Sequence, residues 1–238
     1  MDTGPSDAVP NDAVPNDARQ GDDAHEDATD ARHDGLAEPV LIATRRSLHA
    51  VAEQLLAGPQ YRESGTIRLR VTPGGFGQVE GPARVEGTDL VTASARVPLA
   101  GTIAEVAAAA GINAGVPGLY SDHADLGPDE TLTLDPAAVR QLADWFGRGD
   151  AGLRLFAPEA EPVLWPEHFD LAISLDEVNY GVSPGDAGHQ RSYAYVGPWT
   201  PREGPFWNAP FGALRDAGEL PDAAAVAAFM AAGRAAAG

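Results

Sequence analysis

In "FDLAISL" (Phe169 to Leu175) the apolar residues Phe169, Leu171, Ile173 and Leu175 recur at every second position. That period belongs to a β-strand with one buried face. "GTIRLRV" alternates in the same way, with Ile67, Leu69 and Val71 on one face and Thr66, Arg68 and Arg70 on the other. "ARVEGTDLV" reads as two short strands around Glu86-Gly87-Thr88, "SARVPL" as a third, and "SYAYVG" as a later one. Helical patterns stand apart from these runs. "TRRSLHAVAEQLLAGP" has Thr44 as an N-cap, Leu48, Val51, Leu55 and Leu56 on one face, and a stop at Gly58-Pro59. "TIAEVAAAAG" carries a Thr102/Glu105 capping box and ends at Gly111. "DPAAVRQLADWFGRG" is capped by Asp135, with Pro136 at its first position. "PDAAAVAAFMAAGRAAA" is capped by Asp222, with Val226, Phe229, Met230 and Gly233 on one face. Helices do not alternate strictly with strands. The expected class is therefore α+β: a mainly antiparallel sheet with flanking helices in a single compact domain.

Composition removes much chemistry. The chain has no Cys, which excludes disulfides, thiol catalysis and cysteine-bound zinc or iron–sulfur sites. All sixteen basic residues are Arg, so lysine Schiff bases and a Walker-A lysine are also excluded. The net charge of -19 sets phosphate repulsion against nucleic-acid binding. No apolar run approaches the ~20 residues of a membrane helix, and no signal-peptide pattern is visible, so no membrane role and a cytoplasmic address are expected.

Residues 1–38 read as a disordered acidic tail, and residues 39–238 as the folded domain. The tail repeats "DAVPN" in tandem, has eleven carboxylates against two arginines, and almost lacks large apolar groups. Such a segment cannot bury enough surface to offset its ordering entropy.

Several segments invite a chemical reading. "GVSPG" (Gly181 to Gly185) has the letters of a nucleophile elbow, but the residue after Ser183 is Pro184, which lacks the N–H that an oxyanion hole needs. Asn179-Tyr180-Gly181 and Ser183-Pro184-Gly185 read as turns. "PGGFG" lacks the GK[ST] ending of a phosphate loop and reads as a Gly-rich β-turn. Arg68 and Arg70 share one side of a strand, where an exposed sheet face is the simpler reading than an anion site.

His168 and Asp170 lie at i and i+2, opposite Phe169 and Leu171, while Glu167 points the other way. Asp186 and His189 lie three apart on the next loop. If that loop folds back, His168, Asp170, Asp186 and His189 could converge as a nitrogen/oxygen metal site, with a divalent ion activating water. The simpler reading is a buried polar network in which these groups bond to one another and to backbone N–H groups. Tyr193 and Tyr195 share a strand face. With Trp199 and Trp207 they could line a groove for a small ligand, or form an aromatic mini-core under the "GPWTPREGPFWNAPFG" loop.

The segments "TRRSLH", "LWPEHFDLAI" and "NYGVSPGD…YAYVGPW" resemble those of a family of uncharacterised bacterial, mainly actinobacterial, proteins. More distantly the chain resembles a broader bacterial domain-of-unknown-function family with the LWPxHFD and GxSxGD motifs. The resemblance spans about residues 41–235. It implies that His49, His168, Asp170 and Asp186 sit inside family motifs, while His123 and His189 are less clearly placed. It carries no activity. The function expected from the residues is binding of a small molecule or a protein partner in a polar, aromatic groove that includes His168, Asp170, Tyr193, Tyr195 and Trp207. No cofactor is predicted. The alternative is the metal-assisted hydrolase.

Overall fold

A computed structural model describes residues 36–116, 118–120 and 123–238. The tail expected over 1–38 therefore lies outside the described residues except at its end. There Leu36 packs against the core and Glu38 opens the first helix.

Two stretches of strands form one sheet. β1 (Leu69–Thr72), β2 (Gly75–Gln78), β3 (Arg84–Glu86), β4 (Asp89–Val91) and β5 (Arg96–Pro98) run back and forth as a meander. β6 (Val163–Trp165), β7 (Asp170–Leu175), β8 (Val178–Ser183), β9 (Tyr193–Pro198) and β10 (Ala213–Asp216) form a second meander. The strand order is β10-β9-β8-β7-β6-β1-β2-β3-β4-β5, antiparallel throughout. The meanders meet where Leu69 pairs with Leu164, both fully buried. Each is bracketed by helices: α1 (Glu38–Val51), a π-helical turn (Ala52–Ala57) and α2 (Gly58–Ser64) before the first and α3 (Ile103–Ala110) after it; α4 (Pro136–Phe156) before the second and α5 (Ala223–Ala237) after it. The result is the α+β antiparallel class expected from helices that do not alternate strictly with strands.

One sheet face is the core face. Phe76, Val85 and Leu90 line it in the first meander, and Leu171, Val182, Ala194 and Val196 in the second. Helices approach it closely because they present glycines. A Cβ on Gly149 of α4 would lie 2.2 Å from Val182 of β8, and one on Gly233 of α5 would lie 2.6 Å from Val196 of β9. The opposite face carries Arg70, Arg84 and Arg96 in one cross-strand row of the first meander. In the second meander it carries Trp165, Asp170, Ser183, Tyr193 and Asp216 in one row, and Ala172, Gly181, Tyr195 and Leu214 in the next.

Four local expectations need correction. Thr44 does not cap α1: the helix begins six residues earlier behind Ala37, with a proline in its first turn, and buried Thr44 accepts from the Asp135 amide at 3.1 Å. Gly58-Pro59 does not stop the helix. Pro59 falls at the start of α2, directly after the π-helical turn, where the i→i−4 ladder is already interrupted, so a missing N–H costs little. Asn179-Tyr180-Gly181 is strand, not turn. The chain reverses at Asp176-Glu177, which hold φ of 52° and 62° without a glycine. In "PGGFG" only Pro73 and Gly74 turn, and the following three residues belong to β2.

Candidate functional site

The β6–β7 turn (166–169), the β8–β9 loop (184–192) and the end of β10 lie at the same end of the sheet, because all three join or close strands that pair there. Two residues of α1, one helical turn apart, hold the first two. Arg45 reaches the loop: its guanidinium donates to Gln190 O at 2.9 Å, Gln190 Oε1 at 3.0 Å, and Pro184 O and Asp186 O at 3.4 Å. Burial works against its charge, and the Asp186 carboxylate offsets part of that cost. His49 reaches the turn: its Nε2 lies 2.8 Å from Pro166 O, and its ring stacks on Phe169 with centroids 5.4 Å apart. Phe169 holds φ 51°, a backbone state that a bulky residue adopts only when its surroundings over-determine it. Phe76 and Phe146 supply that constraint, each edge-on at 5.3 Å. The three segments that carry the motif resemblance thus meet in space.

What these loops hold is a layer of paired carboxylates and phenols. Tyr195 donates from its hydroxyl to Asp170 Oδ2. Tyr193 donates to Asp186 Oδ2 at 2.5 Å, while Asp186 Oδ1 caps the amides of Gly188 and His189 at 2.7 and 2.8 Å. Asp216 lies 2.6 Å from His189 Nε2 and pairs with Arg191 at 3.1 Å. Phe211 packs against both tyrosine rings. Burial raises the pKa of Asp170 and of both tyrosines, so the phenols stay neutral donors. Asp170 is only 8% exposed, and its Oδ1 receives no hydrogen bond from the chain. Glu167 on the adjoining turn has a buried Oε2 in the same condition. Burial raises its pKa as well, and the charges of Asp170 and Glu53 add to the rise.

The structure sorts the candidate residues. Asp170, Tyr193, Tyr195 and Asp186 share the layer, and His189 joins it through Asp216. His168 is not on the strand: it occupies the turn, exposed, beside Asp170. The set His168, Asp170, Asp186 and His189 does not close around a point, and among the described residues no three His, Asp or Glu side chains are placed to hold a metal ion. Trp199 is 55% exposed and donates to Asn179 at 3.2 Å. Trp207 departs from the other aromatics, packing on Phe206, which in turn stacks on Phe229 of α5. Ser183 closes β8 instead of sitting in a strand-to-helix elbow, and its Oγ accepts from the Gly185 amide at 3.1 Å.

Sequence reasoning missed Arg45, whose signal was its i, i+4 spacing to His49. It also missed a second polar cluster. Glu53, fully buried in the π-helical turn, accepts from the Ala124 amide at 2.7 Å and lies 3.2 Å from His123 Nδ1. Its position in a π-helical turn, where such distortions often mark functional positions, is invisible in the residue pattern.

No family model matches the chain, and searches of curated proteins and of solved structures return no match either. The geometry therefore stands as the basis for a functional reading.

Proposed function

We propose that the protein is a binding protein that recognises a small ligand through the carboxylate–tyrosine layer at this end of the sheet. One observation carries the reading. Every carboxylate of the layer is already committed to a phenol, a histidine or a loop amide, yet one buried oxygen, Asp170 Oδ1, receives no donor from the chain. Asp186 and Asp216 are tied up in these bonds, so neither is free to attack or to take a proton from a substrate. A recognition surface instead needs preset acceptors beside flat apolar rings, which Trp165 and Tyr195 provide on the same sheet face. The cavity between helices and sheet is no rival site. Lined by Leu48, Phe76, Val85, Val139, Leu142 and Phe146, it offers about 10 Å³, room for about one water and without polar partners for it. No described helix is long and apolar enough to cross a membrane. We place the function in the cytoplasm on the sequence grounds above.

A thermal-shift screen of amines, sugars and organic acids tests the reading. Hits should stabilise the wild type and lose their effect in Tyr195→Phe, with each ligand recovered unchanged by mass spectrometry. Conversion of a hit to product, or shifts indifferent to Tyr195→Phe, would overturn it.

A further inference from the structure

We infer that the side chain of Asn208 is a plug: it closes the β10 end of the sheet against a further strand, and without it two copies of the chain join there, β10 against β10. β10 stands last in the strand order and pairs with β9 along one side. Successive residues of an antiparallel strand turn their peptide groups to opposite sides. Those of Ala213 and Arg215 turn to β9, and those of Gly212, Leu214 and Asp216 face outward. An outward row of free N–H and C=O groups is a template for another strand.

In this chain the row is already occupied. The Leu214 amide donates to Asn208 Oδ1 at 2.9 Å, and Asn208 Nδ2 donates back to Leu214 O at 3.1 Å. A carboxamide carries the donor and acceptor of a peptide group, so Asn208 stands where the backbone of a neighbouring strand would stand. Gly212 is closed by backbone instead, exchanging two hydrogen bonds with Ala209, both at 3.0 Å. The plug is anchored: Phe206 stacks on Phe229 of α5, and Trp207 packs edge-on against Phe206. The far end of the sheet is guarded by other means. There β5 contains Pro98, which has no N–H, and Arg96, whose guanidinium is held by Glu86 and Asp89. A second copy fits the β10 end once Asn208 is gone. In a two-fold pairing centred on Leu214, the leucines of the two copies exchange the two hydrogen bonds that Asn208 now makes. Arg215 then falls opposite Ala213 and Asp216 opposite Gly212, so no like charges face each other across the new pair.

Sedimentation velocity on the full chain over a series of concentrations tests the plug. Asn208→Ala should form dimers whose share rises with concentration, with self-association at least about tenfold tighter than any seen in the wild type, the gain expected when two backbone groups are freed to pair. Asn208→Ser, too short to reach both groups of Leu214, serves if Asn208→Ala does not fold. Adding Leu214→Pro removes the outward N–H and should return the variant to monomer. The Leu214 amide should exchange faster in dilute Asn208→Ala than in the wild type and slow again as dimers form. A variant that stays monomeric at every concentration overturns the inference. So does a dimer that persists with Leu214→Pro, because it then forms elsewhere, and so does a wild type that associates as tightly as Asn208→Ala.

Discussion

The ring of Tyr195 lies flat across Gly181. The two residues pair directly between β9 and β8, and a Cβ on Gly181 would stand 2.5 Å from Tyr195 Cζ and 2.6 Å from its hydroxyl. Without that glycine the phenol could not span β8 to reach Asp170 on β7, two strands and roughly 10 Å away. Gly181→Ala should therefore lift the ring and break the bond to Asp170. We expect a loss of about 1–3 kcal/mol, the cost of leaving a buried polar group unpaired. Tyr195→Phe keeps the ring and removes only the donor, so it should cost no more than Gly181→Ala. Urea denaturation of both variants checks the order. Equal stability of Gly181→Ala and wild type would contradict the crossing.

Arg45 and His49 hold different loops from one helix. Arg45→Ala should increase amide hydrogen exchange over 184–190 and leave 166–169 protected, and His49→Ala should do the reverse. Each variant removes hydrogen bonds, and His49→Ala also removes a ring stack worth about 0.5–1.5 kcal/mol. The losses should add within about 0.5 kcal/mol in the double variant, because the loops are separate partners. Exchange spreading to both loops in either single variant would show that they act as one unit.

Burial raises the pKa of Asp170 above the ordinary carboxylate value. For an acid whose folded pKa exceeds its unfolded pKa, the folded state binds the proton more tightly. That contribution to stability is full below the unfolded pKa, near 4, and is lost as pH rises through the folded value. Asp170→Asn is neutral at every pH and escapes the loss. The melting temperature of Asp170→Asn relative to wild type should therefore climb from about pH 4 to pH 7. A flat or falling difference would place Asp170 as a stabilised anion instead.

Glu53 should matter for the loop that follows α3. Glu53→Ala leaves the Ala124 amide without its acceptor, and we expect a stability loss of about 1–3 kcal/mol with faster exchange at residue 124. Glu53→Gln keeps an oxygen at that place and should recover much of the loss. No difference between the two variants would show that the charge, not the acceptor, is what counts.

Much of this frame was legible in the residues. Alternation at Ile67–Val71 and Phe169–Leu175 assigned the core face correctly, and Asp135, Asp222 and the Thr102/Glu105 pair cap the helices they were expected to cap. β6 and β10 were hidden because three or four paired residues are too few to show a period. β8 was hidden because its turn is Asp176-Glu177, whose positive φ values are held without the glycine that normally signals them. Alternation groups Tyr193 with Tyr195 on one strand face, and both belong to β9; their meeting with Asp170 runs across β8, a strand that the residue pattern did not show. The one-residue shift of His168 into the turn follows from the left-handed Phe169, which only packing against His49, Phe76 and Phe146 enforces. Long-range contacts of that kind leave no local trace in a sequence.

Chemical-shift mapping tests the central claim most directly. Isotope-labelled full-length protein would be titrated with a ligand from the amine, sugar and acid screen while its backbone amides are followed. The account predicts that the perturbed amides cluster at Trp165, Glu167, Asp170, Ser183, Tyr193 and Tyr195, at the end of the sheet held by Arg45 and His49. Perturbations centred on the helix-covered face, or on Glu53 and His123 with this end unchanged, would contradict it.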